Sequence, residues 1–249
     1  MLTIKSKREI ELMKKAGSIV ELALENVHKA IKPGVSTLEL DRIAYKTIIE
    51  NDAIPSFLNY NGFPNTICAS INETVIHGIP KNNMILQDGD IISIDVGASY
   101  KGYHGDAART FPCGNVSSEK LKLIEVTKQS LYEGLKFAKP GNRLSDISHA
   151  IETYAKSFGY GVVEEYTGHG IGLRLHEEPF IPNFGLPGHG PILKEGMTLA
   201  IEPMITLGKK DVEVLNDNWT VQTVDKLPAA HYEQSIVIID KGYEILTKI

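Results

Sequence analysis

Asp95, Asp106, Glu202 and Glu233 stand apart from the other acids of this 249-residue chain, which has 31 Asp and Glu in all. Taken singly, an acid is a surface charge in roughly nine cases of ten. The settings of these four change those odds. Asp95 closes the run Ile91-Ile-Ser-Ile94, Glu202 follows Leu199-Ala-Ile201, and Glu233 stands just ahead of Ile236-Val-Ile-Ile239. Segments that apolar are buried, and a buried acid must be paired, protonated or bound to metal. His169 adds an imidazole between two glycines, in Gly168-His-Gly-Ile-Gly172. The glycines allow close backbone approach and expose the ring. A lone histidine is more often structural, but one beside four inward acids reads as a ligand. His77 and His176 belong near the site without being ligands. Four carboxylates and one imidazole form a hard, oxygen-rich donor set suited to Mn, Fe, Co or Zn. Four acids exceed the needs of one ion. Shared carboxylates and a two-metal centre, with ions about 3.5–4 Å apart, are the expectation. The reaction such a centre serves is hydrolysis of an amide or ester.

The elements that must position these groups come in two copies. Leu86-Gln-Asp-Gly-Asp-Ile-Ile-Ser-Ile-Asp95 recurs as Leu193-Lys-Glu-Gly-Met-Thr-Leu-Ala-Ile-Glu202, at an offset of 107 residues. Lys32-Pro-Gly34 with Glu39-Leu40 recurs at the same offset as Lys139-Pro-Gly141 with Asp146-Ile147. Two halves, roughly 1–112 and 113–249, therefore share one plan within a single catalytic domain. A pseudo-twofold would turn Asp95 and Glu202 toward each other, where two acids repel unless a cation or proton lies between them. Ser6 with Glu9 forms a capping box, and Ile10, Met13, Gly17, Val20, Leu24, Val27 and Ile31 continue at helical spacing. A second helix runs from Ser36 to about Asn51, a third from Ser118 to Ala138, and a fourth from Leu144 to Phe158. Asp90–Val96 and Tyr103–Phe111 read as a hairpin about Lys101-Gly102, with Asp95 and Asp106 close across the ladder. Met197–Ile205 and His231–Ile239 are the matching strands. Gly208–Lys226 between them has no counterpart in the first half. The fold class is α+β, antiparallel sheets flanked by helices.

Bulk properties exclude several classes. The chain is 42% hydrophobic and 23% charged, with a net charge of −5 and no basic stripe, which argues against nucleic acid as a partner. Its longest apolar runs are strand length, far short of the roughly 20 residues of a membrane span. The opening Met-Leu-Thr-Ile-Lys-Ser-Lys-Arg-Glu is too polar for a secretory signal and carries no zinc-finger or proline-rich extension. Cys68 and Cys113 form no CxxC; free thiols in a reducing cytoplasm are expected.

Taken in order, a further set of segments closely resembles the type I methionine aminopeptidases. They are Lys32-Pro-Gly-Val-Ser-Thr37, Ser70-Ile-Asn-Glu-Thr-Val-Ile-His-Gly-Ile-Pro80, Ile94-Asp-Val-Gly-Ala98, Gly102-Tyr-His-Gly-Asp106, Thr167-Gly-His-Gly-Ile-Gly172, His176-Glu-Glu-Pro179 and Ala200-Ile-Glu-Pro203. No single piece would suffice; as a set they cover nearly the whole chain. The resemblance implies the pita-bread fold with its internal pseudo-twofold. It implies that Asp95, Asp106, His169, Glu202 and Glu233 hold two divalent ions, of Co, Mn, Fe, Zn or Ni, bridged by Asp106 and Glu233. It makes Glu202 the general base as well, and His77 and His176 substrate contacts, with His176 stabilising the oxyanion. The implied reaction removes the initiator methionine from nascent chains whose second residue is small. Tyr60, Phe63, Cys68, Leu175 and Trp219 would line the methionine pocket, a set suited to a thioether; Cys68 and Leu175 also read as plain core. The implied partners are nascent-chain N-termini and the ribosome exit region, with a monomer as the default state.

The chain departs from the family pattern at the last ligand. Glu233-Gln234-Ser235 replaces the common Glu-His-Thr, which bears on metal affinity. Leu175 replaces a frequent aromatic, and Phe57 a smaller residue. Prolidases, proline-specific aminopeptidases and creatinase-like enzymes share the fold but carry an extra N-terminal domain, and the type II enzymes carry a helical insert absent between Glu202 and Glu233. A non-cleaving relative that binds ribosomes or nascent chains would usually have lost ligands, and all five are present. A paralogue of narrowed substrate range stays open, as does the metal.

Overall fold

The structure is a computed structural model that describes residues 3–248; Met1 and Leu2, the start of the polar opening segment, lie outside them. Among the described residues are four α-helices, one short 3-10 helix (Tyr60–Gly62) and fifteen strands. Helix α1 (Lys7–Ala30) starts at the expected capping box, where Ser6 accepts from the Glu9 backbone and Glu9 from that of Ser6. Helix α2 spans Thr37–Glu50. Strands β1 (Ile54–Pro55), β2 (Ile67–Ile71) and β3 (Thr74–Ile76) follow, then the long hairpin β4 (Ile91–Tyr100) and β5 (Tyr103–Pro112). The second half brings α3 (Ser118–Leu135), α4 (Leu144–Lys156), β6 (Gly161–Val162), β7 (Gly168–Gly170) and β8 (Glu177–Ile181). It closes with β9 (Thr198–Ile201), β10 (Met204–Thr206), β11 (Val212–Val214), β12 (Val221–Thr223), β13 (Ala229–His231), β14 (Gln234–Ile239) and β15 (Gly242–Ile245).

The 107-residue repeat is written into the backbone. Ser36 bridges Ile85, and Arg143 bridges Ile192. Gly34 donates to the Leu86 carbonyl at 2.8 Å, and Gly141 to that of Leu193 at 3.1 Å. Both glycines hold φ near +90°, a conformation that disfavours any Cβ. Each Lys-Pro-Gly turn thus ties a helix pair to the segment that leads, through β4 or β9, to a site acid.

In the first half β4 is the spine, pairing with β1, β2 and β5. The second half splits what the first keeps whole. The strands expected over Met197–Ile205 and His231–Ile239 are both interrupted, at Glu202-Pro203 and at Tyr232-Glu233. β9 pairs with β14 in a five-stranded sheet, β15-β14-β9-β7-β8, while β10 pairs with β13 in a separate sheet. Pro203 has no N–H to give the ladder. The Glu233 N–H goes across to the Ala108 carbonyl on β5 at 2.9 Å, so the break joins the two halves. The third helix ends three residues short of Ala138, because Pro140 disfavours helical backbone just ahead of it. The fourth ends at Lys156, and Gly159, at φ +79°, takes the left-handed turn after it. Gly208–Lys226 folds as the β11–β12 hairpin, which adds to β3. Among the described residues no helix is long and apolar enough to cross a membrane.

Candidate active site

One cavity of about 370 Å³ collects the residues singled out by the sequence. Its walls include Asp95, Asp106, His169, Glu202 and Glu233, both accessory histidines, and Tyr60, Phe63, Cys68, Leu175 and Trp219. Asp95 lies on β4 opposite Ala108, and Asp106 on β5 opposite Gly97. The two carboxylates are therefore diagonal neighbours on one face of the hairpin, within reach across the ladder. Glu202 and Glu233 enter from the two strand breaks. There the backbone leaves the ladder, and both side chains point at the first hairpin.

Asp106 is 3% and Glu233 2% exposed. Asp95 Oδ1, Asp106 Oδ1 and Glu233 Oε1 are buried without a hydrogen-bond partner. Desolvation raises all four carboxyls, Asp95 to about 7 and Glu202 to about 8. Asp106 and Glu233 are pushed well above the usual range by burial, with neighbouring carboxylates adding to it. Orphaned oxygens that repel one another need protons or cations between them. Asp106, His169 and Glu233 offer donor atoms within 4.8 Å of one another, and so do Glu202, His231 and Glu233. A hard oxygen set with imidazole nitrogen fits divalent first-row ions.

His169 sits on β7 between β8 and β9. A Cβ on Gly168 would lie 2.4 Å from the Ala200 carbonyl oxygen, and one on Gly170 2.2 Å from that of Glu178. The two glycines thus serve strand packing. The ring is not exposed, as their presence suggested; it is 4% exposed and turned to the cavity. Its Nδ1 faces the Gly170 carbonyl at 2.9 Å, which puts the proton there and leaves Nε2 free as a ligand atom. Nε2 lies 3.7 Å from Glu202 and 3.9 Å from Asp106. Burial depresses its pKa to about 3, so the imidazole is neutral.

The accessory histidines stand on the other wall. His176 lines the cavity with its ring centroid 4.3 Å from that of His169, and burial there lowers its pKa. The Tyr60 hydroxyl meets its Nδ1 at 2.8 Å. His77 follows β3 in a left-handed conformation, φ +58°, unusual for a residue with a Cβ. Burial pushes its pKa down to about 4. Its ring packs on Tyr166 and Trp219, and Trp219 in turn on Phe63. Trp219 reaches the cavity from the turn of the β11–β12 hairpin. Cys68 and Leu175 do both things expected of them, lining the cavity and packing in a buried cluster with Met13, Ile171 and Val237. Phe57 also lines the cavity, with its ring 2.7 Å from where a Cβ of Gly97 would stand.

Gln234 points away from the acids. Its amide bonds Thr247 and, in the orientation that satisfies both partners, accepts from Arg109 at 2.9 Å. Ser235 does the work at this corner. Its hydroxyl accepts from the Asp106 N–H at 3.0 Å and donates to the Asp106 carbonyl at 2.8 Å. His231, buried with its Nε2 3.4 Å from Glu202 Oε2, is a group that the reading of single residues passed over. No local pattern marked it, because the strand is broken at Tyr232-Glu233 between it and the next acid. Asn61, Ile76, Glu165, Tyr166, Thr167 and Phe180 also line the cavity; they lie in loops or strand ends with no pattern to mark them.

Known proteins share this fold. The family model for metallopeptidase family M24 matches residues 11–240. The chain belongs to this family. It is 55% identical to methionine aminopeptidase 1 of Bacillus subtilis over 100% of both chains. Among solved structures it is similar to methionine aminopeptidase from Thermotoga maritima, with a TM-score of 0.99, 44% identity and 100% of both chains covered. Prolidase from Pyrococcus furiosus matches at a TM-score of 0.81 and 26% identity, covering 99% of this chain but only 65% of the prolidase. The pita-bread architecture is common to them. This M24 chain spans the full length of the aminopeptidases and leaves a third of the prolidase unmatched.

Proposed function

We propose that this chain is a metal-dependent methionine aminopeptidase that removes the N-terminal methionine from nascent proteins whose second residue is small. One observation carries the reading: five inward donors, Asp95, Asp106, His169, Glu202 and Glu233, end beside an apolar pocket of Tyr60, Phe63, Cys68, Leu175 and Trp219. Full-length identity to methionine aminopeptidases supports the substrate. The five donors would hold two divalent ions, drawn from Co, Mn, Fe, Zn and Ni. When bound, the ions polarise the scissile carbonyl and acidify a water molecule. Glu202 takes the proton of the attacking water and passes it to the leaving amine. In the tautomer where the Tyr60 hydroxyl donates to Nδ1 of neutral His176, the Nε2–H donates a hydrogen bond to the carbonyl oxygen as it becomes an oxyanion. His77, neutral and held by Tyr166 and Trp219, contacts the substrate backbone. The site lies between the halves 1–112 and 113–249 of one catalytic domain. Two buried free cysteines accord with a cytoplasmic setting. Access to nascent chains at the ribosome exit, as a monomer, is part of the same reading.

The test is hydrolysis of Met-Gly-Met-Met, Leu-Gly-Met-Met and Gly-Pro-Met by metal-stripped protein re-supplied with Co, Mn or Fe. Methionine release from the first peptide alone, and only with metal, is expected. Cleavage of Gly-Pro-Met would move the chain to the proline-specific branch of its family. No release with any metal would sink the enzymatic reading.

A further inference from the structure

His231 has no role in the mechanism above, yet its Nε2 lies beside Glu202 Oε2, at 3.4 Å. It ends β13, where it pairs with Met204 on β10. Its peptide is clasped on both sides by one hydroxyl. The His231 N–H donates to Thr110 Oγ1 at 2.9 Å, and Thr110 Oγ1 donates to the His231 carbonyl at 2.9 Å. The side chain is 1% exposed, and Nε2 is buried without a hydrogen-bond partner. An imidazole nitrogen left bare in this way is costly unless something is meant to occupy the space before it. The atom in front of it is Glu202 Oε2, at 3.4 Å, too poorly placed for a hydrogen bond. Two donors each roughly 2.1 Å from one shared ion, at an angle of roughly 90–110°, lie about 3.0–3.4 Å apart.

Glu202 thus stands between two imidazoles, Oε1 toward His169 at 3.7 Å and Oε2 toward His231 at 3.4 Å. Two groups of donor atoms gather within 4.8 Å, and Asp95 belongs to neither. Asp106, His169 and Glu233 form one, and Glu202, His231 and Glu233 the other, with Glu233 common to both. We infer that His231 is a sixth protein ligand, giving the second ion position an imidazole of its own, so that each ion of the pair is held by one nitrogen and by the shared Glu233. The inference rests on the metallopeptidase reading of the site and goes beyond its five donors. A nitrogen at both positions favours ions that prefer imidazole, such as Co, Zn and Ni, over Mn.

Proton NMR of the protein loaded with two equivalents of Co²⁺ separates the possibilities without an activity assay. A histidine bound through Nε2 shows one strongly shifted resonance from its Nδ1–H, which vanishes in D₂O. Two such resonances are expected. The His231→Gln variant, whose amide keeps the volume and polarity of the site, should keep one, and should bind the second Co²⁺ at least about tenfold more weakly by calorimetry. One exchangeable shifted resonance in the unaltered protein would overturn the inference and leave the five-donor centre standing. Two resonances surviving in His231→Gln would overturn it as well. Their complete absence, with no calorimetric binding, would remove the metal centre itself and this inference with it.

Discussion

Glu202 and His176 divide the proton chemistry between them, and geometry explains the division. The Glu202 carboxylate is mostly enclosed among the acids, and burial lifts its pKa to about 8. It is a base strong enough to take a proton from water once cations hold it ionised. Glu202→Gln keeps the shape of the side chain and removes the base. Turnover of Met-Gly-Met-Met should fall below detection in protein that still binds metal; activity within a few fold of the parent would refute the role. His176 stands at the open wall, its Nδ1 hydrogen-bonded with the Tyr60 hydroxyl. His176→Ala should lower kcat by roughly 10²-fold or more, with metal content nearly unchanged, because the contact matters only as the oxyanion forms. A fall in metal content alone would make His176 a structural support.

At the scale of elements, the site depends on how β5 is tied to β14. Ser235 clasps Asp106 by both its backbone groups, Arg109 donates to the Glu233 carbonyl at 3.0 Å, and Glu233 donates to Ala108. The hydroxyl common to Ser235 and the family's usual threonine is therefore what this position needs, while the neighbouring change to Gln234 falls on the face turned to Arg109 and Thr247. Ser235→Ala leaves the Asp106 N–H buried without a partner, at a cost of about 1–3 kcal/mol. Urea unfolding of the metal-free variant should register that loss, and metal affinity should drop about tenfold as Asp106 loses its anchor. Unchanged values for both would show that the clasp positions nothing.

The whole molecule carries the strain of a site built from like charges. Asp95 and Glu202 hold protons up to about pH 7 and 8 in the fold, whereas unfolded carboxyls release theirs near pH 4. The folded chain therefore binds the extra protons between those limits, and its stability falls as pH rises through 7 and 8. The depressed histidines, His77 and His169 among them, work in the opposite sense, but only below roughly pH 6.5. Metal-stripped protein should accordingly lose stability between pH 6.5 and 8, seen as a lower Tm. Added Co or Mn should raise the Tm more at pH 8 than at pH 6.5, since cations replace the protons. A Tm flat across that window would contradict a site of buried, mutually repelling carboxylates.

The amino-acid sequence by itself determined the elements, the doubled plan and the donor types. Capping residues, apolar periodicity and Lys-Pro-Gly turns act over a few neighbours, so Ser6, Pro33 and Pro140 could be read where they stand. The exact repeat offset announced Asp95 and Glu202 as partners because duplicated turns close duplicated hydrogen bonds. Tertiary structure decided what depends on contacts between distant segments. Glu202 and Glu233 lie at strand breaks rather than within strands, because the Glu233 backbone exchanges a ladder bond within its own half for one to Ala108. The glycines around His169 answer to Ala200 and Glu178 on neighbouring strands, and Gln234 faces Arg109 rather than the acids. His231 became visible only when two sheets set its nitrogen against Glu202, since local sequence can give a residue its face but not the group that will meet it there.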